Sequence, residues 1–230
     1  MALCAIQKTT LLDYPGKVAC TVFFGGCNLR CPFCHNAGLV LPDRIGAAPV
    51  TAASLLSFLD SRIGKLDGVC LSGGEPTLEP ALPELIRAIR ARGFAVKLDT
   101  NGTNPQMLQA LIDRGLLDYV AMDIKNSPAK YAETCGGKDV LHAVEASVQL
   151  LMNGQVPYEF RTTVCHPIHT PGDLSQIGRW LQGASRYYIQ PFVDSGDLVG
   201  SGMYPLSPAE LEALRRAVLP YIPSAKIRGI

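Results

Sequence analysis

Val18-Ala-Cys-Thr-Val-Phe-Phe24 runs directly into Gly25-Gly-Cys27-Asn-Leu-Arg-Cys31-Pro-Phe-Cys34-His-Asn36. The first part is dense in β-branched and aromatic residues and far too short to span a bilayer, so it reads as a strand over 18–23. The second opens on paired glycines and carries three cysteines within eight residues, so it reads as a loop at that strand's C-terminal end. Five further runs of the same character lie at 68–72, 96–100, 119–124, 158–164 and 187–192, each followed by a loop and a helical stretch. Six βα units in series predict an α/β fold around a parallel sheet. A closed barrel of this type needs eight units, so six predict a partial, open (β/α)6 barrel whose site lies at the C-terminal ends of the strands.

Helix boundaries are legible in the punctuation. Asn104-Pro105 places a cap before a proline at the first helical position, and Ser207-Pro208-Ala209-Glu210 is a capping box of the same form. Gly93, Gly115 and Gly154 close three helices. The last helix, over 207–221, carries Leu211, Leu214 and Val218 at helical spacing, a stripe that predicts a core-facing side. With no internal repeat and no linker-like tract, residues 1–230 are expected to form a single domain.

At 47% hydrophobic and 18% charged, the 230-residue chain can bury a core large enough to offset its chain entropy. Lys plus Arg number 21 against 20 Asp plus Glu, a balance that offers no broad positive field to a phosphate backbone and disfavours general nucleic-acid binding. The opening Met1-Ala-Leu-Cys-Ala-Ile-Gln-Lys8 has no basic region followed by a long apolar run, which predicts a cytoplasmic protein independent of membranes. Eight cysteines in a chain of this size, without an export signal, read as reduced thiols or metal ligands.

Cys27, Cys31 and Cys34 on one loop can bind three irons of a cubane iron–sulfur cluster, leaving the fourth iron open to a ligand. Cys31-Pro-Phe-Cys34-His35 also fits the pattern for covalent haem, but that reading leaves Cys27 and the βα architecture without a purpose. Zinc would take His35 as a fourth ligand, yet no second paired motif exists. Cys20 and Cys70 fall in strands and read as small buried hydrophobes, whereas Cys4, Cys135 and Cys165 show no metal spacing.

Period-two alternation puts Lys97 with Asp99, Asp123 with Lys125, and Glu159 with Arg161 on single faces of three strands. Charges on barrel strands must pair or meet a polar ligand, so these residues predict a polar cavity. Ion pairs between strands would equally account for Lys97 and Glu159.

The C-x3-C-x2-C spacing after a first strand resembles the radical S-adenosylmethionine superfamily. That resemblance implies a [4Fe–4S] cluster on Cys27, Cys31 and Cys34, with S-adenosylmethionine chelating the open iron and being cleaved to a 5′-deoxyadenosyl radical. Ser72-Gly73-Gly74-Glu75-Pro76 resembles the family's motif for the methionine amino group. By the same resemblance Asp123, Lys125 and Arg161 match positions contacting the ribose and carboxylate, and Asn101 belongs with Asp99 to the cofactor wall. Gln190, in Ile189-Gln-Pro-Phe192, falls near the adenine, although a sheet-end glutamine in solvent is an equal reading. Asp99 and Thr100 of Asp99-Thr-Asn-Gly102, with Asp123, match a group that holds a monovalent cation in one such enzyme.

Asp13-Tyr14-Pro15-Gly16, with Tyr14 where the pattern has Gly, is similar to the D-G-P-G-x-R segment of glycyl-radical enzyme activases. Together with Cys34-His35-Asn36 it is most similar to anaerobic ribonucleoside-triphosphate reductase activating proteins. The implied partners are a large glycyl-radical enzyme and a reduced flavodoxin or ferredoxin as electron donor. Pyruvate formate-lyase activation, or a small-substrate reaction as in 7-carboxy-7-deazaguanine synthases, are the alternatives.

Overall fold

The computed structural model describes residues 3–41, 43, 50–154 and 156–229, so Met1 and Ala2 of the opening segment lie outside the described residues. Its strands are β1 (Leu3–Thr10), β2 (Ala19–Phe24), β3 (Gly68–Gly73), β4 (Ala95–Thr100), β5 (Tyr119–Asp123), β6 (Tyr158–Val164), β7 (Tyr187–Pro191) and β8 (Lys226–Ile227). Helices α1 (Ala37–Val40), α2 (Ala52–Asp60), α3 (Leu82–Arg90), α4 (Pro105–Asp113), α5 (Tyr131–Thr134), α6 (Leu141–Met152), α7 (Pro171–Trp180) and α8 (Pro208–Val218) fill the connections. The sheet order follows the chain from β1 to β8, and β1 and β8 are its ends, so the barrel is open. From β2 onward every pairing is parallel, whereas β1 pairs antiparallel with β2.

The six strands read from sequence are β2 to β7, each within a residue at either end. β1 is an addition to that expectation. Its residues Ala5, Gln7, Lys8 and Thr9 are exposed, and its pairing with β2 is broken by two register shifts, so no clean alternation marks it. The caps formed as read: Asn104 accepts from Met107 N, and Ser207 and Glu210 close a reciprocal box. Leu211, Leu214 and Val218 are buried, as their spacing required.

Alternation gives the strands two different faces. Val22, Val69, Leu71, Val96, Leu98, Val120, Met122, Phe160 and Ile189 are fully buried and belong to one core with Leu59, Ile86, Leu111, Val148, Ile177 and Leu214 of the helices. Each such side chain contributes roughly 1.5–3 kcal/mol by leaving water. The opposite face points into the barrel and is largely polar, with Thr21, Ser72, Asp99, Asp123, Arg161, Thr163 and Gln190 on a cavity wall. Among the described residues no helix is long and apolar enough to cross a membrane.

The segment between β1 and β2 folds across the N-terminal end of the strands. Tyr14 is buried there against Ala19 and Tyr119, its ring centroid 6.3 Å from that of Tyr119. Space is made by Gly68, where a Cβ would come within 2.9 Å of Tyr14 Cε1. The phenol oxygen of Tyr14 is buried without a hydrogen-bond partner among the described residues. Leaving a polar group unpaired costs about 1–3 kcal/mol, so Tyr14→Phe is expected to hold or raise the urea midpoint. Tyr14→Ala, which empties the plug, is expected to cost about 3–5 kcal/mol. A Tyr14→Phe variant destabilised as much as Tyr14→Ala would show that the hydroxyl, rather than the ring, secures this end.

Candidate functional site

The chain leaves β2 and folds back over the C-terminal ends of the strands. Gly26 N donates to Leu39 O at 2.7 Å, Arg30 N to Cys135 O at 3.2 Å, and Cys34 N to Cys31 O at 3.1 Å. Arg30 spans the turn from within, its Nη1 donating to the carbonyls of Cys27 and Leu29 at 2.7 Å each. From outside, Val199 N and Gly200 N donate to Cys34 O and Pro32 O at 3.2 and 2.9 Å. These bonds hold Cys27, Cys31 and Cys34 on one wall of a cavity of about 310 Å³, within the range of small-molecule sites.

Cys31 is nearly buried and the other two thiols are half-buried. Burial pushes the Cys27 thiol up to about 11 and raises Cys34 as well. Cys31 is raised by its hydrogen bond with Cys135 and by burial, and the same bond lowers Cys135. Cys27 Sγ accepts from Leu29 N at 3.4 Å and from Asn101 Nδ2 at 3.6 Å, bonds of the kind that tune a thiolate bound to iron. Among the described residues no three His, Cys, Asp or Glu side chains converge as one mononuclear ion requires. All three thiols line the same cavity, and three cysteine ligands are a donor set suited to an iron–sulfur cluster.

β3 ends against this loop. Gly74 N donates to Phe24 O and Glu75 N to Gly26 O, both at 2.8 Å. The approach is so close that a Cβ on Gly74 would lie 1.9 Å from Gly26 O, and Gly73 adopts a φ of +112°. Backbone alone fits here. Glu75 is buried, and its carboxylate is occupied: Oε1 accepts from Thr77 N, Thr77 Oγ1 and Thr100 Oγ1 at 3.1, 2.5 and 2.7 Å, and Oε2 accepts from Asn101 N at 2.7 Å. The side chain therefore clamps the end of β3 to the end of β4. Burial raises its pKa, against which these four bonds pull.

The predicted charges meet inside the barrel. Arg161 lies between two carboxylates, its Nε 2.5 Å from Asp123 Oδ1 and its Nη2 3.2 Å from Asp99 Oδ2. Lys125 Nζ donates to Asp123 Oδ2 at 3.0 Å, and Lys97, only 2% exposed, pairs with Asp99. Burial alone would raise both carboxyls, but Arg161 with Lys125 holds Asp123, and Arg161 with Lys97 holds Asp99, below the usual carboxylate range. Glu159 pairs with Arg228 at 2.6 Å and accepts from the Tyr119 hydroxyl at 2.9 Å, nearer the plugged end. It is a structural ion pair away from the cavity.

All the predicted cofactor and metal positions line this one cavity: the three cysteines, Gly73, Gly74 and Glu75, Asp99, Thr100 and Asn101, Asp123 and Lys125, Arg161 and Gln190. Sequence reasoning assigned no role to Gln7, Thr21, Ser72 and Thr163, which line it too, and left open that of Cys135, which backs Cys31. Thr21 binds Asp13, its hydroxyl donating to Asp13 Oδ2 at 2.5 Å. Inward alternation would have found Thr21, Ser72 and Thr163, whereas nothing in the spacing of Cys135 points to Cys31.

Comparison with known proteins agrees with this geometry. The family model described as Radical SAM superfamily matches residues 21–181, and the chain belongs to that superfamily. Membership implies a [4Fe–4S] cluster and S-adenosylmethionine. MJ1227 of Methanocaldococcus jannaschii, by name a glycyl-radical enzyme activating enzyme, is 33% identical, the match covering 98% of this chain and 95% of that one. The pyruvate formate-lyase-activating enzyme of Clostridium pasteurianum is 32% identical over 61% of this chain and 62% of its own length. The 7-carboxy-7-deazaguanine synthase of Methanopyrus kandleri is 35% identical over 49% of this chain and 51% of that protein. Among solved structures, Streptococcus suis SuiB superposes with a TM-score of 0.69 at 15% identity, over 89% of this chain and 47% of SuiB, a likeness of fold.

Two outcomes follow from the site's packing. Gly74→Ala is expected to cost about 1–3 kcal/mol and to lower the iron retained after anaerobic reconstitution, because the new methyl displaces the cysteine loop. Gly93→Ala, at a helix end with nothing within 4 Å of the added carbon, should cost only the strain of its φ of +86° and leave iron content unchanged. Equal iron in both variants would sever the glycine contact from the loop. Asp99 and Asp123 are depressed in the folded state, so their stabilisation is complete above the unfolded carboxylate pKa of about 3.9 and disappears as pH falls through the lower folded values. Through these two carboxylates the urea midpoint should fall as pH drops below about 4, with a shallower fall in Asp123→Asn.

Proposed function

We propose that this protein activates a glycyl-radical enzyme, in the manner of anaerobic ribonucleoside-triphosphate reductase activating proteins. The observation that carries the reading is the end-to-end likeness to MJ1227, joined by a segment at Asp13–Gly16 that resembles the activases and reaches the cavity through Asp13. In this reading Cys27, Cys31 and Cys34 hold three irons, and the cluster when bound supplies the electron that cleaves the S-adenosylmethionine sulfonium and frees the hydrogen-abstracting 5′-deoxyadenosyl group.

The chain's own residues then act by position. Backbone at Gly73 and Gly74 receives the methionine ammonium, while Lys125 and Arg161 face its carboxylate and Asp123 the ribose. Asn101 holds Cys27 and its neighbour Asn28, donating to Asn28 Oδ1 at 3.1 Å, and Gln190 closes the adenine side. No general base is required, because abstraction depends on bringing the target hydrogen into near contact with the reactive carbon. Reduced flavodoxin or ferredoxin supplies the electron.

The test is anaerobic reconstitution with iron and sulfide, reduction, and addition of S-adenosylmethionine with a candidate reductase. The expected result is 5′-deoxyadenosine together with a glycyl-radical EPR signal on the reductase, both abolished in Cys31→Ala. Deoxyadenosine whose formation responds to a pterin instead of a protein partner would move the assignment to the 7-carboxy-7-deazaguanine synthase side, where the relative matches only half of this chain.

A further inference from the structure

Asp99, Thr100 and Asp123 are the positions at which resemblance implies a bound monovalent cation, and their oxygens have little to offer one. Asp99 Oδ1 accepts from Lys97 Nζ, and Asp99 Oδ2 from Ser72 Oγ at 3.1 Å and Arg161 Nη2 at 3.2 Å. Asp123 Oδ1 accepts from Arg161 Nε at 2.5 Å and Oδ2 from Lys125 Nζ at 3.0 Å. Thr100 Oγ1 donates to Glu75 and accepts from Gly102 N at 3.1 Å. Every carboxylate oxygen of the set already faces a cationic donor.

The charges argue the same way. Lys97, Arg161 and Lys125 bring three positive charges against the two of Asp99 and Asp123. That leaves these five side chains with a surplus of one positive charge. An alkali ion added beside Lys97 and Arg161 would enlarge that surplus in a site largely sheltered from water. Lys97 is the informative member, because Asp99 has Arg161 as a counter-ion without it. Burying a second ammonium is costly unless the carboxylate must stay charged and fixed. Lys97 Nζ lies 3.7 Å from Cys70 Sγ, one rung deeper in the barrel than Asp99, and so supports the carboxylate from beneath.

We propose that the buried ammonium of Lys97 takes the place of a bound monovalent cation, making Lys97 a positioning residue for Asp99 and Arg161 and freeing cofactor binding from any alkali-metal requirement. The inference rests on the chain's use of S-adenosylmethionine and is indifferent to which protein receives the radical.

The test exchanges potassium for choline at constant ionic strength and reads two quantities. The first is S-adenosylmethionine affinity of the cluster-loaded protein, followed by the change in its reduced EPR signal. The second is the thermal midpoint of the cluster-free protein, which does not depend on the cluster or on any reaction. The wild type should show less than about a twofold change in affinity and no shift in midpoint. Lys97→Met keeps the side chain's bulk and vacates Asp99 Oδ1. It should bind S-adenosylmethionine about tenfold more weakly in choline, with affinity and midpoint both recovering in potassium.

Rescue by a free cation is a result that a merely structural lysine would not give. A wild type whose affinity rises about tenfold with potassium would overturn the proposal without reference to any variant, as would a Lys97→Met protein indifferent to the cation. Failure of the activase reading would leave both measurements standing, since neither includes a protein partner.

Discussion

Arg161 reaches Asp99 on β4 and Asp123 on β5 from its own strand, β6, and this one guanidinium joins the three central strands at the barrel's mouth. The arrangement follows from a constraint on the strands. Their outer faces are committed to the helices, since residues such as Val96, Leu98, Val120, Met122 and Phe160 are fully buried there. Alternation then sends the intervening residues inward, where charges survive only in pairs. Replacing a buried ion pair with apolar groups of similar volume is often neutral or stabilising, so the ladder from Lys97 to Lys125 is poor evidence of stability. Its value is a rigid set of donors and acceptors whose orientation is settled before a ligand arrives.

The cysteine loop depends on the same strand ends. Glu75 clamps Thr77 after β3 to Thr100 and Asn101 at the end of β4, and the Asn101 side chain passes that constraint to Cys27 and Asn28. Asn28 returns it by donating to Thr103 at 2.9 Å. The far side is held by different means. Phe33 packs edge-on against His169, whose Nε2 bonds Lys125 O at 2.9 Å, so the loop and the lysine of the charge ladder share one buried ring. Each cysteine is thus placed by contacts with segments distant in sequence, as a site assembled from loops on a sheet requires.

These long-range contacts set how far the sequence could be read. Strands β2 to β7 were legible because both of their faces are specified, one by helices and one by a cavity. β1 was not, because Ala5, Gln7, Lys8 and Thr9 are exposed and its pattern breaks at two register shifts. Cys27, Cys31 and Cys34 were legible as a group because they are local to one loop, and Asp99, Asp123 and Arg161 because charge on a barrel strand needs a reason. The occupation of Glu75 by Thr77, Thr100 and Asn101 could not be read, since sequence names an acceptor without naming its donors. Lys97 was read as one side of a choice between cavity and ion pair, and the structure gives it an ion pair with a cavity residue.

The two ends and the seam of the barrel carry different burdens. At the N-terminal end the segment before β2 returns under the strands, and Tyr14 fills the space that Gly68 leaves. The sheet is also unpaired at the seam between its end strands, β1 and β8. No pairing joins the two strands at that seam, where β8 is only two residues long. Gln7 of β1 and Gln190 of β7 both line the cavity, so polar side chains flank the opening from both sides. A closed barrel would admit only what its loops let through. An open one leaves the cavity wall between Gln7 and Gln190 without a strand pair to complete it among the described residues.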